Sequence, residues 1–285
     1  MAGRQKQGAS FGYTKRRGYH PLLATRADTG ELLHARMRKG SASSQRGAER
    51  FVRELVRRVR RCGASGPLCV RADSGFWSNK TIAALEQHDV RYSIGVTQQA
   101  HVRAAIEAIP EERWQPLCDY PPEGIAEIAE GTLSGRRLVV RRTRLVGAQA
   151  ELFPDWRQHA FITDRPEPLA EVEADHRRHV QVELAIRDLK EGSGLNHAPS
   201  GHFCANAVWL LTSCLAHNLV RWIACLGLGV RGPVVAHTIR RRYLTLPGRI
   251  TRSARRLRLH LPARWPWREA FGHALARLRA LPLLA

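Results

Sequence analysis

The sequence predicts an α/β fold: a mixed sheet with flanking helices, interrupted by a mostly β insertion and followed by a basic, Arg-rich tail. Three observations carry this expectation. Through residues 19 to 99, apolar strand-like runs alternate with helix-period segments in the order β-β-α-β-α-β. Residues 100 to 171 lose that rhythm, gaining Pro110, Pro116, Pro121 and Pro122 and then alternating runs such as "GIAEIAEG" and "RRLVVRRTRLV". Residues 172 to 230 return to helix.

Taken in order, "YHPLLATRADTGELLHARMRKG" places two apolar runs around "ADTGE", so antiparallel strands are expected at about 19 to 26 and 31 to 38. Ser43 or Ser44 is expected to cap a helix in which Phe51, Val52, Leu55, Val56 and Val59 recur at helical spacing, with Gly63 past its end. "GPLCVRADSG" reads as a strand that stops at Asp73. "SNKTIAALEQHD" is a short helix with Ser78 as cap, and "RYSIGVTQ" is a strand with Tyr92, Ile94 and Val96 on one face. A helix is expected from about 168 to 191, ending at "EGSG", and a long apolar helix over 203 to 226. The last stretch shows no single period and is expected as helix and loop. The expected organisation is a core from 1–99 and 172–230, a β-rich insertion at 100–171, and an Arg-rich C-terminal region at 231–285.

The net charge of +21 is uneven: residues 231 to 285 hold thirteen Arg, no Lys and one acidic residue, Glu269. Such a segment attracts polyanions, with nucleic acid foremost. Of 46 basic residues 41 are Arg, which fits either selection for phosphate geometry or GC-rich codon usage. The six cysteines form no C-x-x-C pair and are expected to be buried free thiols in a reducing compartment. The N-terminal stretch has charges without an apolar run, so a cytoplasmic protein is expected. The run 203 to 229 is the one membrane candidate, but Asn206, His217, Asn218 and Arg221 interrupt it, and a buried core helix is expected instead.

On a helical wheel over 175 to 191, His176, His179, Glu183, Arg187 and Lys190 fall on one face beside an apolar stripe of Val182, Ala185, Ile186 and Leu189. That face reads either as a solvated polar stripe or as one carboxylate presented among phosphate-binding cations. Asp73 likewise reads as a helix cap or as a strand-end ligand. Together, two carboxylates converging from different elements of a basic α/β chain fit two-metal phosphodiester chemistry with Mg²⁺ or Mn²⁺. Arg141 and Arg142 in "RRLVVRRTRLV" would form a basic edge for phosphate, as would Arg241 and Arg242 in the tail. Trp156 beside Arg157 would either stack on bases or pack in the core.

These residues resemble the DDE-type insertion-sequence transposases with a ribonuclease H-like core, in the branch that carries β structure before the Glu and the signature Tyr-x2-Arg-x3-Glu-x6-Lys. "HRRHVQVELAIRDLK" (176 to 190) has that spacing, with Glu183 at the Glu, Lys190 at the Lys, and His176 and His179 where Tyr and Arg stand. "HAPSGHFCANAVWLL" and "RADSGFW" match one subgroup of the branch, and the resemblance runs from "KQGASFGYTKRRGYHPLLA" to "LPARWPW". It implies that Asp73 is the second catalytic Asp and Glu183 the Glu, both metal ligands, with Lys190 positioning a terminal phosphate. It further implies cleavage of double-stranded DNA at element ends, strand transfer to target DNA, a homo-oligomeric active complex and a nucleoid-associated location, with no membrane.

Family members carry the first Asp on a strand upstream of "KQGASFGYT", so the chain is expected to be N-terminally truncated and impaired. The hairpin strands and the Asp73 strand would then lack a shared partner strand. Asp28 is expected to serve the hairpin turn, and Asp119 and Asp164 to belong to the insertion. A non-catalytic basic DNA-binding protein and a host nuclease on the same core are the alternatives.

Overall fold

The computed structural model describes residues 6–12, 15–43, 45–118, 124–146, 156–232 and 234–282. It divides into two compact units, Ser43–Val180 and the combination of Met1–Ala42 with Gln181–Ala285.

The Ser43–Val180 unit is built on a six-stranded mixed sheet. Here β5 is Leu68–Ala72, β6 Val90–Gly95, β7 Gln115–Pro116, β8 Gly124–Leu133, β9 Arg136–Leu145 and β10 Arg157–Thr163. Their order is β5-β6-β10-β9-β8-β7. β5 and β6 run parallel, and every other pairing is antiparallel. Helices α1 (Ala48–Arg61), α2 (Asn79–Glu86) and α3 (Ala100–Glu107) supply apolar faces to the core. Val52, Val56, Ile82, Leu85, Val102 and Ile106 join Tyr92, Ile94, Leu138, Val140 and Ile162 in one buried cluster. Each such side chain removed from water contributes roughly 1.5 to 3 kcal/mol before entropy is counted. This mixed sheet flanked by helices is the expected α/β architecture, consistent with a ribonuclease H-like fold. The strands of the expected insertion extend the sheet of β5 and β6 directly, because β10 pairs with both β6 and β9.

Local signals explain the element ends. Ser78 caps α2, its hydroxyl accepting from the Thr81 N–H at 3.2 Å. Gly63, at φ 93°, closes α1. The start of α1 differs from expectation: Gly47, at φ 77°, stands at the N-cap with no side-chain cap. Ser43 instead opens a turn through its carbonyl to the Arg46 N–H, and Ser44 lies outside the described residues. The turn consumes the residues between serine and helix, so the hydroxyl sits too early to cap.

In the other unit, β1 (Ser10–Phe11) pairs with β2 (Arg17–Gly18), and β3 (Leu22–Thr25) with β4 (Leu32–Arg36), each as a separate two-stranded sheet. Among the described residues the hairpin strands pair only with each other and β5 only with β6, so they share no partner strand. Asp28 forms a bidentate pair with Arg26 at 2.7 and 2.8 Å in the hairpin turn, as expected of a turn residue.

The long apolar helix is Phe203–Trp222, followed by one π turn, Ile223–Gly227. The residues that interrupt its hydropathy explain its orientation. The Asn218 amide brackets the hairpin, accepting from the Leu32 N–H at 2.8 Å and donating to its carbonyl at 3.0 Å. Arg221 donates to the Thr29 carbonyl at 2.6 Å and to His217 at 2.7 Å. A Cβ on Gly30, at φ 75°, would lie 2.9 Å from the Arg221 guanidinium, so that turn requires glycine. By length and composition this helix is long enough to cross a membrane, yet its inner face buries Asn206, Ser213, His217 and Arg221. Only one face meets the expectation of a core helix: Val208, Leu211, Leu215, Leu219 and Trp222 are exposed on the other.

The cysteines also depart from expectation. All six are free, but Cys62, Cys69, Cys118 and Cys204 are exposed, and only Cys214 is buried. Cys62 stands at the C-cap of α1, past the buried stripe, and Cys204 at the start of the long helix on its outer face. Burial pushes the Cys214 thiol up to about 11. Cys69 is exposed as a residue, yet desolvation by its surroundings also raises its thiol to about 11. A thiol reagent at neutral pH should therefore modify Cys62, Cys118 and Cys204 in a fast phase and leave Cys69 and Cys214 to a slow one. Mapping the modified peptides over time checks this, and Cys214 reacting in the fast phase would refute it.

Candidate functional site

Asp73 follows β5 at the carboxyl end of the parallel β5–β6 pair. It caps a short 3₁₀ turn, Ser74–Phe76, one carboxylate oxygen accepting from the Gly75 N–H at 3.0 Å. The turn lies across the end of β6, where a Cβ on Gly95 would sit 3.3 Å from the Ser74 nitrogen. Capping thus occupies one oxygen of an exposed carboxylate, and the second has no hydrogen bond among the described residues. The cap reading and the ligand reading of Asp73 are compatible.

The helix expected from 168 to 191 is two helices, α4 (Leu169–Arg177) and α5 (Val180–Gly192). Between them Arg178 and His179 close tight turns onto the Asp175 and His176 carbonyls. Asp175 is held by Arg165 at 2.7 Å and by Arg71 at 3.2 Å, and these ties fix the end of α4. The single-face wheel therefore holds only for Glu183, Arg187 and Lys190, which are exposed at i, i+4 and i+7 on α5 opposite buried Ala185 and Leu189.

Asp188 sets the rotation of α5. Its carboxylate accepts from the Ala236 N–H at 2.8 Å and lies 3.4 Å from the buried His217 ring. The wheel hid it because it stands off the Glu183 face. Its signal was an acidic residue beside an apolar stripe.

His176 faces the sheet. Its Nδ1 is 2.6 Å from the Ser93 hydroxyl, and its ring stacks on Phe161 at 3.9 Å. Burial, then the neighbouring charges of His179, Arg71 and Arg141, push it down to about 3. At neutral pH it is a neutral imidazole, so it does not provide the cation expected at this position. His179 lies in the turn with its ring 6.4 Å from that of His176.

The unfolded His176 takes up a proton near pH 6.5, and the folded one only near 3. Its contribution to stability is therefore complete above about pH 6.5 and is lost as the pH falls toward about 3, by up to about 1.4 kcal/mol per pH unit. Denaturant midpoints measured down this range should fall in the wild type and flatten in His176→Leu; parallel profiles would contradict the assignment.

The arginines of β9 are engaged within the fold. β9 lies between β8 and β10 and has no open edge. Arg141 pairs with Glu173, Arg137 with Glu130 at 2.7 Å, and Arg136 with Glu86 at 3.6 Å. Arg142 is bound by Glu127 at 2.6 Å and Glu111 at 2.7 Å. Its guanidinium lies 4.1 Å from the Trp114 ring and 4.6 Å from the Trp156 ring, with Arg144 4.9 Å from the Trp156 ring. The basic edge expected here is thus a charge-balanced strand interior, because carboxylates distant in sequence meet it. Arg241 and Arg242 are exposed in a π turn, Arg240–Leu244, with Arg242 5.4 Å from the ring of Trp267. Trp265 is buried.

Asp73, His176 and His179 belong to the Ser43–Val180 unit, and Glu183, Arg187 and Lys190 to the other. Asp164 caps the other end of the β6 register, accepting from the Tyr92 N–H at 2.8 Å, and Asp119 lies outside the described residues. Among the described residues no group of three or more His, Cys, Asp or Glu is arranged to hold a metal ion. Asp73 and Glu183 are exposed carboxylates, hard oxygen donors of the kind Mg²⁺ and Mn²⁺ take. They fit such an ion in kind.

A family model described as "Transposase DDE domain group 1" matches residues 2–283. No curated relative matches the chain.

Proposed function

Because the chain belongs to the DDE transposase domain family and so has a function in DNA transposition, we propose that Asp73 and Glu183 are two of its catalytic carboxylates and that both hold Mg²⁺ or Mn²⁺. The observation that supports this reading is the family match over residues 2–283, and the choice of residues rests on the resemblance of "RADSGFW" and of the Glu183-x6-Lys190 spacing to the family's motifs. Bound there, the cation supplies charge stabilisation at the leaving oxygen of a DNA phosphodiester. The residues of the chain do the rest. Lys190 and Arg187, on the exposed face of Glu183, neutralise and orient the terminal phosphate. Asp73 keeps its direction through the Gly75 N–H.

The proposed substrates are double-stranded element ends and target DNA. The proposed setting is cytoplasmic and nucleoid-associated, with a homo-oligomer in the active complex. The functional division into a core (1–99 and 172–230), a β-rich insertion (100–171) and an Arg-rich C-terminal region (231–285) is part of the same proposal.

A second reading is a non-catalytic DNA-binding protein on the same fold, supported by the net charge of +21 and by the run without acidic residues between Glu191 and Glu269. On this second reading the chain binds duplex DNA and is impaired in strand cleavage. The test is incubation of the purified chain with supercoiled plasmid and Mg²⁺ or Mn²⁺. No nicking above the Asp73→Ala background is expected. Robust nicking that disappears in Asp73→Ala would overturn the impairment while supporting the catalytic role of Asp73.

A further inference from the structure

The C-terminal region contains an element its sequence did not announce. β11 (Arg249–Ser253) and β12 (Arg256–His260) form an isolated antiparallel ribbon, with Ile250 opposite Leu259, Arg252 opposite Leu257 and Thr251 opposite Arg258. Period-2 alternation gives the ribbon two unlike faces. Ile250, Leu257, Leu259 and Arg252 share one. Arg249, Thr251, Ser253, Arg256, Arg258 and His260 share the other, where the Thr251 hydroxyl lies 2.8 Å from the His260 ring nitrogen. The turn residues Ala254 and Arg255 both adopt positive φ, 47° and 60°.

Every residue of the two strands except Thr251 is exposed. Among the described residues, none of Arg249, Arg252, Arg255, Arg256 and Arg258 is in an ion pair, whereas Arg136, Arg137, Arg141 and Arg142 of β9 all are. The sequence keeps them so: no acidic residue occurs between Glu191 and Glu269. Five unpaired guanidinium groups on a two-stranded ribbon are complementary to a dense row of phosphates. The shape is also complementary, because the DNA major groove, about 12 Å wide, admits a two-stranded ribbon. Arg, Ser, Thr and His on the polar face are donors and acceptors suited to base edges and phosphates alike.

We propose that the Arg249–His260 ribbon is a DNA-reading element that seats its polar face in the major groove of duplex DNA. The proposal rests on the DNA-binding reading above and deepens it by naming the element and the groove. The narrow, deep major groove of duplex RNA excludes such a ribbon.

The test uses the full chain and a labelled random-sequence DNA duplex, with affinity measured between about 50 and 200 mM salt. The triple variant Arg249→Gln, Arg256→Gln, Arg258→Gln is compared with Arg57→Gln, Arg103→Gln, Arg113→Gln, which removes the same charge from exposed positions in the other unit. The ribbon variant should lose at least about tenfold in affinity and reduce the salt slope by about 2 to 3, while the control loses less than about threefold. Wild-type protein should also protect guanine N7, in the major groove, from methylation, and the ribbon variant should not. Equal losses in the two variants, no N7 protection by the wild type, or equal binding of a duplex RNA would overturn the ribbon assignment and leave DNA binding standing. Failure of the wild type to bind duplex DNA at all would instead overturn the DNA-binding reading, and the ribbon with it.

Discussion

Replacing Glu173 with alanine should cost the Ser43–Val180 unit about 3 to 5 kcal/mol of stability. The Glu173 side chain is 1% exposed and pairs with Arg141, itself 14% exposed, while Arg177 stands 3.5 Å from the same carboxylate. Arg141 projects from β9, and Glu173 from α4. Removing the carboxylate takes away the buried counter-charge that Arg141 and Arg177 share, and the loss measures the disturbed buried charge more than the worth of the pair. The double variant Glu173→Leu, Arg141→Met removes both charges at similar volume and should recover most of the loss. An exposed pair offers the contrast: Glu54→Ala, facing an Arg50 side chain that is 79% exposed, should change stability by less than about 1 kcal/mol. Chemical denaturation of the three variants checks the set. A Glu173→Ala loss no larger than that of Glu54→Ala would contradict a stabilising role for the buried Glu173 carboxylate.

The second large effect concerns divalent cation. Asp73→Asn and Glu183→Gln should each remove most of the Mn²⁺ binding seen in the presence of duplex DNA, because the proposal makes both carboxylates ligands of the same ions. If they serve the same ions, the losses are not additive: the double variant should be no worse than either single one. Two unrelated surface carboxylates that each attract a cation would give losses that add. Asp188→Asn supplies a further contrast. Asp188 sits on the same helix as Glu183 but is spent on the Ala236 N–H and on His217. Its loss should therefore lower stability more than metal affinity.

What the sequence made legible was local. The hairpin of β3 and β4, the Ser78 cap and the Gly63 stop are written in a few adjacent residues each, and the structure contains all three. The exposed row Glu183, Arg187, Lys190 was legible for the same reason, since helical spacing alone puts i, i+4 and i+7 together. What was not legible depends on partners far along the chain. The break at Arg178–His179 follows from Arg71 and Arg165 holding Asp175. The β9 arginines read as a free basic surface because Glu86, Glu111 and Glu173 are brought to them only by the fold. His176 read as a cation because its burial against Phe161 and Ser93 cannot be counted on a wheel. The ribbon was missed because its turn uses Ala254 and Arg255, not the glycine or asparagine that positive φ ordinarily selects.

The most direct test of the account is Mn²⁺ titration of the full chain with duplex DNA, followed by the loss of free-ion spectroscopic signal, for wild type, Asp73→Asn, Glu183→Gln and the double variant. Saturable binding that falls at least about tenfold in each single variant and no further in the double is the predicted result. Binding of equal strength in all four proteins would contradict a shared cation site at Asp73 and Glu183.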